Sequence, residues 1–373
     1  MRLGDFLNSD FTPNWDKFES AFGEMSTCKH SNRWHKEGSP LEHTKLVTNE
    51  MIKKLKERGE VFSAYNPHLF VMIGAAMFHD IGKPSTTYWD YEKQDWCCKD
   101  HGREGERIFR DMFKEERLDL REQVAYLIRY HMMPHYILSH EKERQEREII
   151  QMIDCMGTYN DLLLLNECDL RGSVSNGNTE EDITVHISSI EKLIEDASKK
   201  GLDKRWKDVN EFTPRMYVMI GIPASGKTTL AKKISAEENN IPIISRDDIR
   251  YEIGFCKEGE KCVSTKEGED LVTCKIREKI QECAKLGISF IVDNTSLRKT
   301  YRQQYQEYIK GYNIASIYVY VEAPSLEDNY KRREHQIAPI QIKRMWESME
   351  FPTKDECYKL RMYDQKNDII FSF

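Results

Sequence analysis

The sequence predicts a multi-domain protein in which an all-α helical bundle precedes an α/β domain built on a parallel sheet. The chain of 373 residues is long enough for two domains of ordinary size. Apolar residues recur at helical spacing from residue 16 to about residue 199. From residue 215 onward, short apolar runs alternate with helical stretches, which is typical of a parallel sheet covered by helices. The strand candidates are residues 216–220, 241–244, 289–292 and 314–321.

Composition limits the class of protein. A polar stretch over residues 201–214 is the predicted linker between domains at 1–200 and 215–373. The formal charge of −7 arises in the first domain. Neither domain has the basic excess that is typical of proteins that coat nucleic acid without sequence specificity. The ten cysteines are scattered without a Cys-x-x-Cys pair, which favours reduced thiols. Because no apolar run approaches a membrane span and the first residues lack a secretory apolar core, we expect a cytoplasmic protein with no membrane partner.

The first domain carries histidines and aspartates in short motifs. Ser39 and Pro40 have the pattern of a capped helix start, which places His43 in the first turns of a helix. Gly82 and Pro84 end the helix that leads to an adjacent His-Asp pair. Four histidines and two aspartates on separate helices suit one or two transition-metal ions. The six residues are His43, His79, Asp80, His101, His131 and Asp169. A structural or surface role is at least as well supported for His35, His68, His135 and His140.

Over roughly residues 30–175, this series resembles the HD phosphohydrolase superfamily. The shared pattern is a His, a His-Asp pair and a later Asp, joined by the two extra histidines of dinuclear members. The resemblance implies that Lys83 stabilises charge on a phosphate while a hydroxide attacks phosphorus. It further implies two ions, chosen from Mn²⁺, Ni²⁺, Co²⁺ and Fe²⁺, the first bound by His43, His79, Asp80 and Asp169 and the second completed by His101 and His131.

A phosphate-binding loop opens the second domain. Residues 221–228, Gly-Ile-Pro-Ala-Ser-Gly-Lys-Thr, match the pattern G-x-x-x-x-G-K-[ST] between a predicted strand and a predicted helix. Lys227 would neutralise the β- and γ-phosphates, and Thr228 would bind Mg²⁺ through its hydroxyl. The sequence therefore predicts ATP or another NTP as phosphate donor, with Mg²⁺. The predicted nucleotide-binding residues in the loop and at the helix start are Gly221, Ser225, Gly226, Lys227, Thr228 and Thr229.

Charged residues after later strands are candidates for the acceptor side of this site. Asp247 follows the second predicted strand, where a carboxylate can take the proton of an attacking hydroxyl. Arg250 can hold an acceptor phosphate, and Asp293 ends a later strand candidate. A basic helix containing Arg332 and Arg333 would place a guanidinium over the transferring phosphate. Taken singly, each of these clusters also fits a solvated helix face.

Residues 215 to about 352 resemble the 5′-hydroxyl polynucleotide kinases. The shared features are the phosphate loop, an Arg-Asp-Asp-x-x-Arg-like element after the second strand, and an Arg-rich lid before a later proline. The resemblance implies that Asp247 is the general base and that Arg250 binds the acceptor phosphate. It also implies that Arg333 is the lid arginine on the donor phosphates, with Arg332 as the alternative in the neighbouring register.

Together the two halves resemble the bacterial and phage HD-Pnk proteins, in which an HD phosphohydrolase precedes a polynucleotide kinase. The resemblance implies a bifunctional enzyme that removes 2′,3′-cyclic phosphate or 2′/3′-phosphate from RNA or DNA ends and phosphorylates 5′-hydroxyl ends. Because the chain has no Lys-x-Asp-Gly motif, a separate ligase would seal the strand. Two alternatives are an HD nucleotidase fused to a small-molecule P-loop kinase, and a regulatory protein that binds nucleotides without turnover.

Overall fold

The computed structural model describes residues 1–31, 36–154, 158–174, 179–201, 206–255, 265–323, 325–333 and 337–373, without the side chains of residues 326 and 333. The chain divides into two compact units, Met1–Lys204 and Arg205–Phe373. Each unit has its own cluster of buried apolar side chains. Among the described residues, we find no helix with the length and apolar character that a membrane crossing requires.

The first unit is mainly helical and is organised around one central helix. Its helices are α1 (Trp15–Phe22), α2 (Pro40–Glu57), α3 (Pro67–Phe78), α4 (Lys83–Thr86), α5 (His101–Met112), α6 (Leu118–Tyr130), α7 (Met133–Ile137), α8 (Lys142–Ile153), α9 (Tyr159–Gly172) and α10 (Glu180–Lys199), with 3₁₀ helices at Leu3–Phe6 and Gly23–Ser26. Nine of the 12 residues of α3 are buried, which is typical of a helix surrounded by others. The helices α2, α6 and α9 pack directly against it.

The described part of the first unit also contains a short β-hairpin. An antiparallel hairpin of β1 (Thr87–Asp90) and β2 (Asp95–Cys98) follows α4. Trp89 and Trp96 are cross-strand partners whose ring centroids lie 5.4 Å apart, an arrangement that stabilises such a pair by about 0.5–1.5 kcal/mol. With four residues in each strand, the hairpin is too short to produce a strand period that stands out from its helical surroundings.

The second unit contains a six-stranded sheet with the strand order β4-β5-β3-β6-β7-β8. Its strands are β3 (Arg215–Ile220), β4 (Ile243–Ser245), β5 (Phe290–Asp293), β6 (Ala315–Val321), β7 (Lys359–Asp364) and β8 (Ile369–Ser372). All neighbours pair in parallel except β8, which is antiparallel to β7. The helices of this unit are α11 (Lys227–Glu237), α12 (Arg246–Glu252), α13 (Lys266–Leu286), α14 (Lys299–Tyr308), α15 (Leu326–Arg333) and α16 (Pro339–Glu347), with a 3₁₀ helix at Lys354–Glu356.

The predicted parallel sheet is confirmed. Strands β3, β4, β5 and β6 overlap the four strand candidates, and every residue of β6 is buried, as expected for a strand covered on both faces. The sequence did not indicate β7 and β8. The first of these contains Lys359, Arg361 and Asp364, which interrupt its apolar pattern. The second has only three apolar residues, Ile369 to Phe371, and is largely exposed at the sheet edge.

The topology places several polar side chains at one edge of the sheet. The loop after β3, the start of α12 after β4, and the last residue of β5 all lie at the carboxyl ends of adjacent parallel strands. In open α/β sheets, ligands bind at this edge, outside the carboxyl ends of the strands. The fold therefore brings the predicted phosphate loop, Asp247 and Asp293 to the same side of the unit.

Candidate functional site

Six side chains predicted as metal ligands converge inside the first unit. They come from five segments: α2, the turn after α3, the start of α5, the end of α6, and α9. All six are buried. They form two triads that share one carboxylate, and the potential ligand atoms of each triad lie within 4.8 Å of one another. The triads are His43, His79 and Asp80, and Asp80, His101 and His131, with Asp169 beside the first.

Asp80 lies at the centre of this cluster, which we call the histidine cage. Its Oδ2 is 3.3 Å from His79 Nε2 and 3.8 Å from His43 Nε2. Its Oδ1 is 3.3 Å from His101 Nε2 and 3.8 Å from His131 Nε2. The two oxygens of one carboxylate therefore face different pairs of imidazoles, an arrangement suited to bridging two cations.

The main chain orients three of the imidazole rings. In His79, His101 and His131, Nδ1 lies 2.9, 3.0 and 2.7 Å from the carbonyl oxygen three residues earlier. Because a carbonyl oxygen only accepts, Nδ1 carries the proton and Nε2 is left with a lone pair that points into the cage. Metal-ligating histidines are oriented by hydrogen bonds of this kind.

The converging lone pairs fit a metal site. His101 Nε2 and His131 Nε2 lie 3.0 Å apart, although neither has a proton to share in this tautomer. Burial lowers the pKa of His101, and burial together with the neighbouring His101 and His79 holds the pKa of His131 well below its usual range, so both rings favour the neutral form that binds metals. Among the described residues, the buried Nε2 of His79 also has no hydrogen-bond partner. Divalent cations with nitrogen and oxygen ligands would satisfy all three atoms.

Lys83 places a buried ammonium group at the cage. Its Nζ lies 2.6 Å from Asp80 Oδ2. Burial alone would lower the pKa of Lys83, but the adjacent Asp80 carboxylate outweighs that effect and raises it. Burial would raise the pKa of Asp80, yet His79 and Lys83 hold it well below its usual range. The pair is therefore ionised, and Lys83 places a buried positive charge beside the predicted metal ligands.

Two residues that the sequence did not single out as site residues also contact the cage. Glu37 Oε1 lies 3.0 Å from His43 Nδ1, and His135 Nε2 lies 2.8 Å from Asp169 Oδ2. Burial opposes protonation of His43, but the hydrogen bonds to Asp169 and Glu37 raise its pKa to about 9. Glu37 stands in a polar loop and His135 on a five-residue helix, so no local pattern indicated either contact.

The other histidines considered in the sequence have different surroundings. His68 Nε2 lies 3.0 Å from Asp161 Oδ1, and His140 Nδ1 lies 2.7 Å from Glu148 Oε2. Both are ion-pairing positions outside the cage. His35 lies outside the described residues.

A close backbone approach brings the segments of the cage together. A Cβ atom on Gly82 would lie 2.1 Å from the carbonyl oxygen of His101 and 2.5 Å from the backbone nitrogen of Gly105. Only glycine fits such a contact. The turn that carries His79 and Asp80 therefore rests directly on the first turns of α5.

The phosphate loop joins β3 to α11 in the second unit. Gly221 has a φ of +152°, and a Cβ atom there would lie 2.8 Å from the carbonyl oxygen of Val321, so this position also requires glycine. The Lys227 ammonium donates to the carbonyl oxygen of Ile222 at 2.8 Å. The loop thus has the compact form in which its backbone N–H groups can surround a phosphate.

Thr228 and Asp293 form an oxygen pair beside the loop. Thr228 Oγ1 donates to Asp293 Oδ2 at 2.7 Å. Burial raises the pKa of Asp293, while the hydrogen bond from Thr228 and the charge of Lys227 act in the opposite direction. A hydroxyl and a carboxylate in this position are oxygen ligands of the kind that Mg²⁺ prefers.

A cleft of about 680 Å³ adjoins the loop and brings most of the predicted kinase residues together. Asp247, which is 66% exposed, accepts a hydrogen bond from Arg250 Nη1 at 2.7 Å. The expected residues that line the cleft are Gly226, Lys227, Thr228, Thr229, Asp247, Arg250 and Asp293. Ser225 is instead buried within the loop.

Glu269 on α13 is a contact that the sequence did not indicate. Its carboxylate accepts hydrogen bonds from Arg246 Nη2 at 2.6 Å and from Arg250 Nη2 at 2.9 Å. Burial would raise the pKa of Glu269, but the two guanidinium groups lower it. The pairing spans 19 residues or more and belongs to no motif, so only the folded chain shows that Glu269 holds both arginines at the cleft wall.

The helix α15 lies against the phosphate loop. Asn329, which is fully buried, donates through Nδ2 to the carbonyl oxygen of Pro223 at 2.7 Å. Arg332 Nη1 donates to the carbonyl oxygen of Ala224 at 3.3 Å, and Arg332 also lines the cleft. The side chain of Arg333 lies outside the described residues.

Comparison with family models identifies both domains. Residues 50–156 match the HD domain, and residues 216–352 match the AAA domain. No curated protein shows significant similarity to the chain. The chain therefore carries an HD domain followed by a P-loop, kinase-like domain.

Solved structures resemble the chain over part of its length. A gluconokinase from Sinorhizobium meliloti 1021 is 20% identical over 38% of this chain and 77% of its own, with a TM-score of 0.28. A chain of the Pnkp1/Rnl/Hen1 RNA repair complex is 20% identical over 38% of this chain and 46% of its own, with a TM-score of 0.32. A chain of the PezAT toxin–antitoxin system of Streptococcus pneumoniae is 16% identical over 48% of this chain and 78% of its own, with a TM-score of 0.31.

Proposed function

Since the chain has the architecture of the HD-Pnk proteins, we propose that it heals broken nucleic-acid ends. The P-loop unit transfers the γ-phosphoryl group of ATP to a 5′-hydroxyl end. The HD unit removes a 2′,3′-cyclic phosphate or a 2′/3′-phosphate. The products are the two ends that a separate ligase joins.

One observation carries the kinase half of the proposal: Asp247 and Arg250 line the same cleft as Lys227 and Thr228. With ATP bound, Lys227 interacts with the β- and γ-phosphates, and Thr228 with Asp293 provides ligands for Mg²⁺. Asp247 accepts the proton of the 5′-hydroxyl as that oxygen bonds to phosphorus. Arg250 hydrogen-bonds the carboxylates of Asp247 and Glu269. It would exchange its bond to Asp247 for one to the acceptor's 3′-phosphate, while Glu269 keeps the guanidinium at the cleft wall.

The lid role belongs to a basic residue of α15. Two observations support Arg332 as the lid arginine: its contact with the loop carbonyl of Ala224 and its place on the cleft wall. From there, a guanidinium would contact the donor phosphates held by the loop. Arg333 is the neighbouring candidate from the family resemblance.

The HD half rests on the two triads that share Asp80. His43, His79, Asp80 and Asp169 would hold one ion and Asp80, His101 and His131 the second, with Mn²⁺, Ni²⁺, Co²⁺ or Fe²⁺ as the ions such donors favour. When bound, the ions activate water and polarise the phosphoryl oxygens. Lys83 donates to an anionic phosphoryl oxygen and stabilises the charge that develops there. Glu37 and His135 hold His43 and Asp169 in place.

The test uses the full chain with ATP, Mg²⁺, Mn²⁺ and an RNA that has a 5′-hydroxyl and a 2′,3′-cyclic phosphate. We expect a 5′-phosphate to appear and the cyclic phosphate to be lost. The same protein is assayed in parallel with gluconate and nucleosides as kinase substrates and with nucleotides as phosphatase substrates. Turnover of the small molecules without turnover of the RNA would overturn the proposal in favour of a nucleotidase fused to a small-molecule kinase. Nucleotide binding without any turnover would favour a regulatory protein.

A further inference from the structure

One part of the wall of the kinase cleft consists of aromatic side chains from a single helix. Tyr301, Gln304, Tyr305 and Tyr308 of α14 all line the cleft. Their spacing of three, four and seven residues places them on one helix face. The cleft that contains the phosphate loop is therefore also lined by tyrosine rings.

Two of these tyrosines are already engaged. Tyr305 is 5% exposed, and its hydroxyl accepts a hydrogen bond from Asn294 Nδ2 at 3.0 Å. The ring of Tyr308 lies under the Arg277 guanidinium, 5.6 Å from the ring centroid. Tyr301 is different, because it is 46% exposed while it lines the cleft. Its ring is the open aromatic surface of this wall.

Charged groups of the same cleft define what a ligand on Tyr301 would contain. Arg246 and Arg250 are both held by Glu269, which fixes two guanidinium groups at the cleft wall. Asp247 is the exposed carboxylate next to Arg250. A ligand that used all of these groups would have a hydroxyl at Asp247, a phosphate at Arg250 and a flat ring at Tyr301. A nucleoside with a 3′-phosphate has those three parts on one sugar.

We propose that Tyr301 is the stacking platform for the base of the 5′-terminal nucleotide of the acceptor strand. This inference rests on the proposed polynucleotide kinase activity and names the part of the acceptor that the cleft recognises. Aromatic side chains stack on any base, because every base has a π-face, so the platform selects for a nucleic-acid end without selecting its sequence. An acceptor without a base gains nothing from Tyr301.

The experiment compares the wild type with Tyr301→Ala and Tyr301→Phe on two acceptors. One is a 5′-hydroxyl oligonucleotide, and the other is the same strand with an abasic 5′-terminal residue. Tyr301→Ala should raise the KM for the ordinary acceptor by about 5- to 150-fold, the range expected for the loss of one base–aromatic stack. The KM for ATP should not change, and Tyr301→Phe should behave as wild type. All three proteins should have the same KM for the abasic acceptor.

Tyr312→Ala is the matched control, because Tyr312 is a 40%-exposed tyrosine that does not line the cleft. An unchanged KM for the ordinary acceptor in Tyr301→Ala, or an equal rise for the abasic acceptor, would overturn the platform. That outcome leaves polynucleotide kinase activity measurable in the wild type. If the wild type phosphorylates no oligonucleotide at all, the proposed function fails instead.

Discussion

Substitution of Gly82 by alanine should disable the histidine cage through the backbone alone. The added Cβ would stand 2.1 Å from the carbonyl oxygen of His101, whereas real Cβ atoms essentially never come closer than 3.0 Å to such an atom. The start of α5 and the turn that contains Gly82 must therefore separate by about 0.9 Å. His101 would then shift relative to His79 and Asp80, although metal sites require ligand distances within about 0.2 Å of their ordinary values.

Two magnitudes follow from this displacement. Overpacking at a rigid contact costs about 1–3 kcal/mol in the free energy of unfolding. Weakened metal sites lose about 10- to 100-fold in affinity or activity, even when only an outer partner of a ligand is removed. Gly82→Ala should therefore lower the thermal stability of the first unit and reduce cyclic-phosphate hydrolysis at least tenfold. The kinase activity should persist, since the phosphate loop belongs to the other compact unit.

The assay measures bound metal by elemental analysis, unfolding by calorimetry, and both activities on one RNA. Gly23→Ala is the matched control, because a Cβ atom on Gly23 would meet no atom within 4 Å. Wild-type metal content together with wild-type hydrolysis in Gly82→Ala would refute the reasoning.

Three further predictions concern separate sites, the general base and the metals. Lys227→Ala should abolish 5′-phosphorylation and spare phosphate removal, while His79→Ala should do the reverse; loss of both reactions in either folded variant would contradict two independent sites. Asp247→Asn should lower kcat by about 10²–10⁴-fold while calorimetry still detects ATP binding, and Asp248→Asn, which lies off the cleft wall, should be milder. Equal rates for Asp247→Asn and wild type across neutral pH would exclude the general-base role. Metal-stripped protein should regain hydrolysis with a transition metal and poorly with Mg²⁺, because imidazole ligands favour the former; full recovery with Mg²⁺ alone would count against the cage as a transition-metal site.

Local chemistry made parts of this structure predictable. The Ser39 side chain accepts a hydrogen bond from the Glu42 backbone at 3.2 Å, and α2 begins at Pro40, as the capping pattern predicted. The position of the phosphate loop between β3 and α11 was predictable for a similar reason, because its glycines and the flanking apolar run are contiguous in the sequence. Signals of this type depend on residues a few positions apart.

Contacts between distant segments were not predictable in the same way. Glu269 pairs with two arginines of α12, and His135 reaches Asp169 across 34 residues. Neither residue stands in a pattern that distinguishes it from other charged or polar residues on helices. A single sequence does not show which helices pack against each other. The contacts of Glu269 and His135 were therefore found only in the folded structure.

The three imidazoles oriented by carbonyl oxygens make the cage tolerant of sequence divergence. The accepting oxygens belong to Ala76, Cys98 and Ile128, and every amino acid supplies the same oxygen at those positions. Substitutions at these three positions can change local packing without changing the tautomer or the orientation of each ring, provided that the backbone conformation is retained. A homologue or a redesigned variant must therefore preserve the backbone conformation three residues before each histidine.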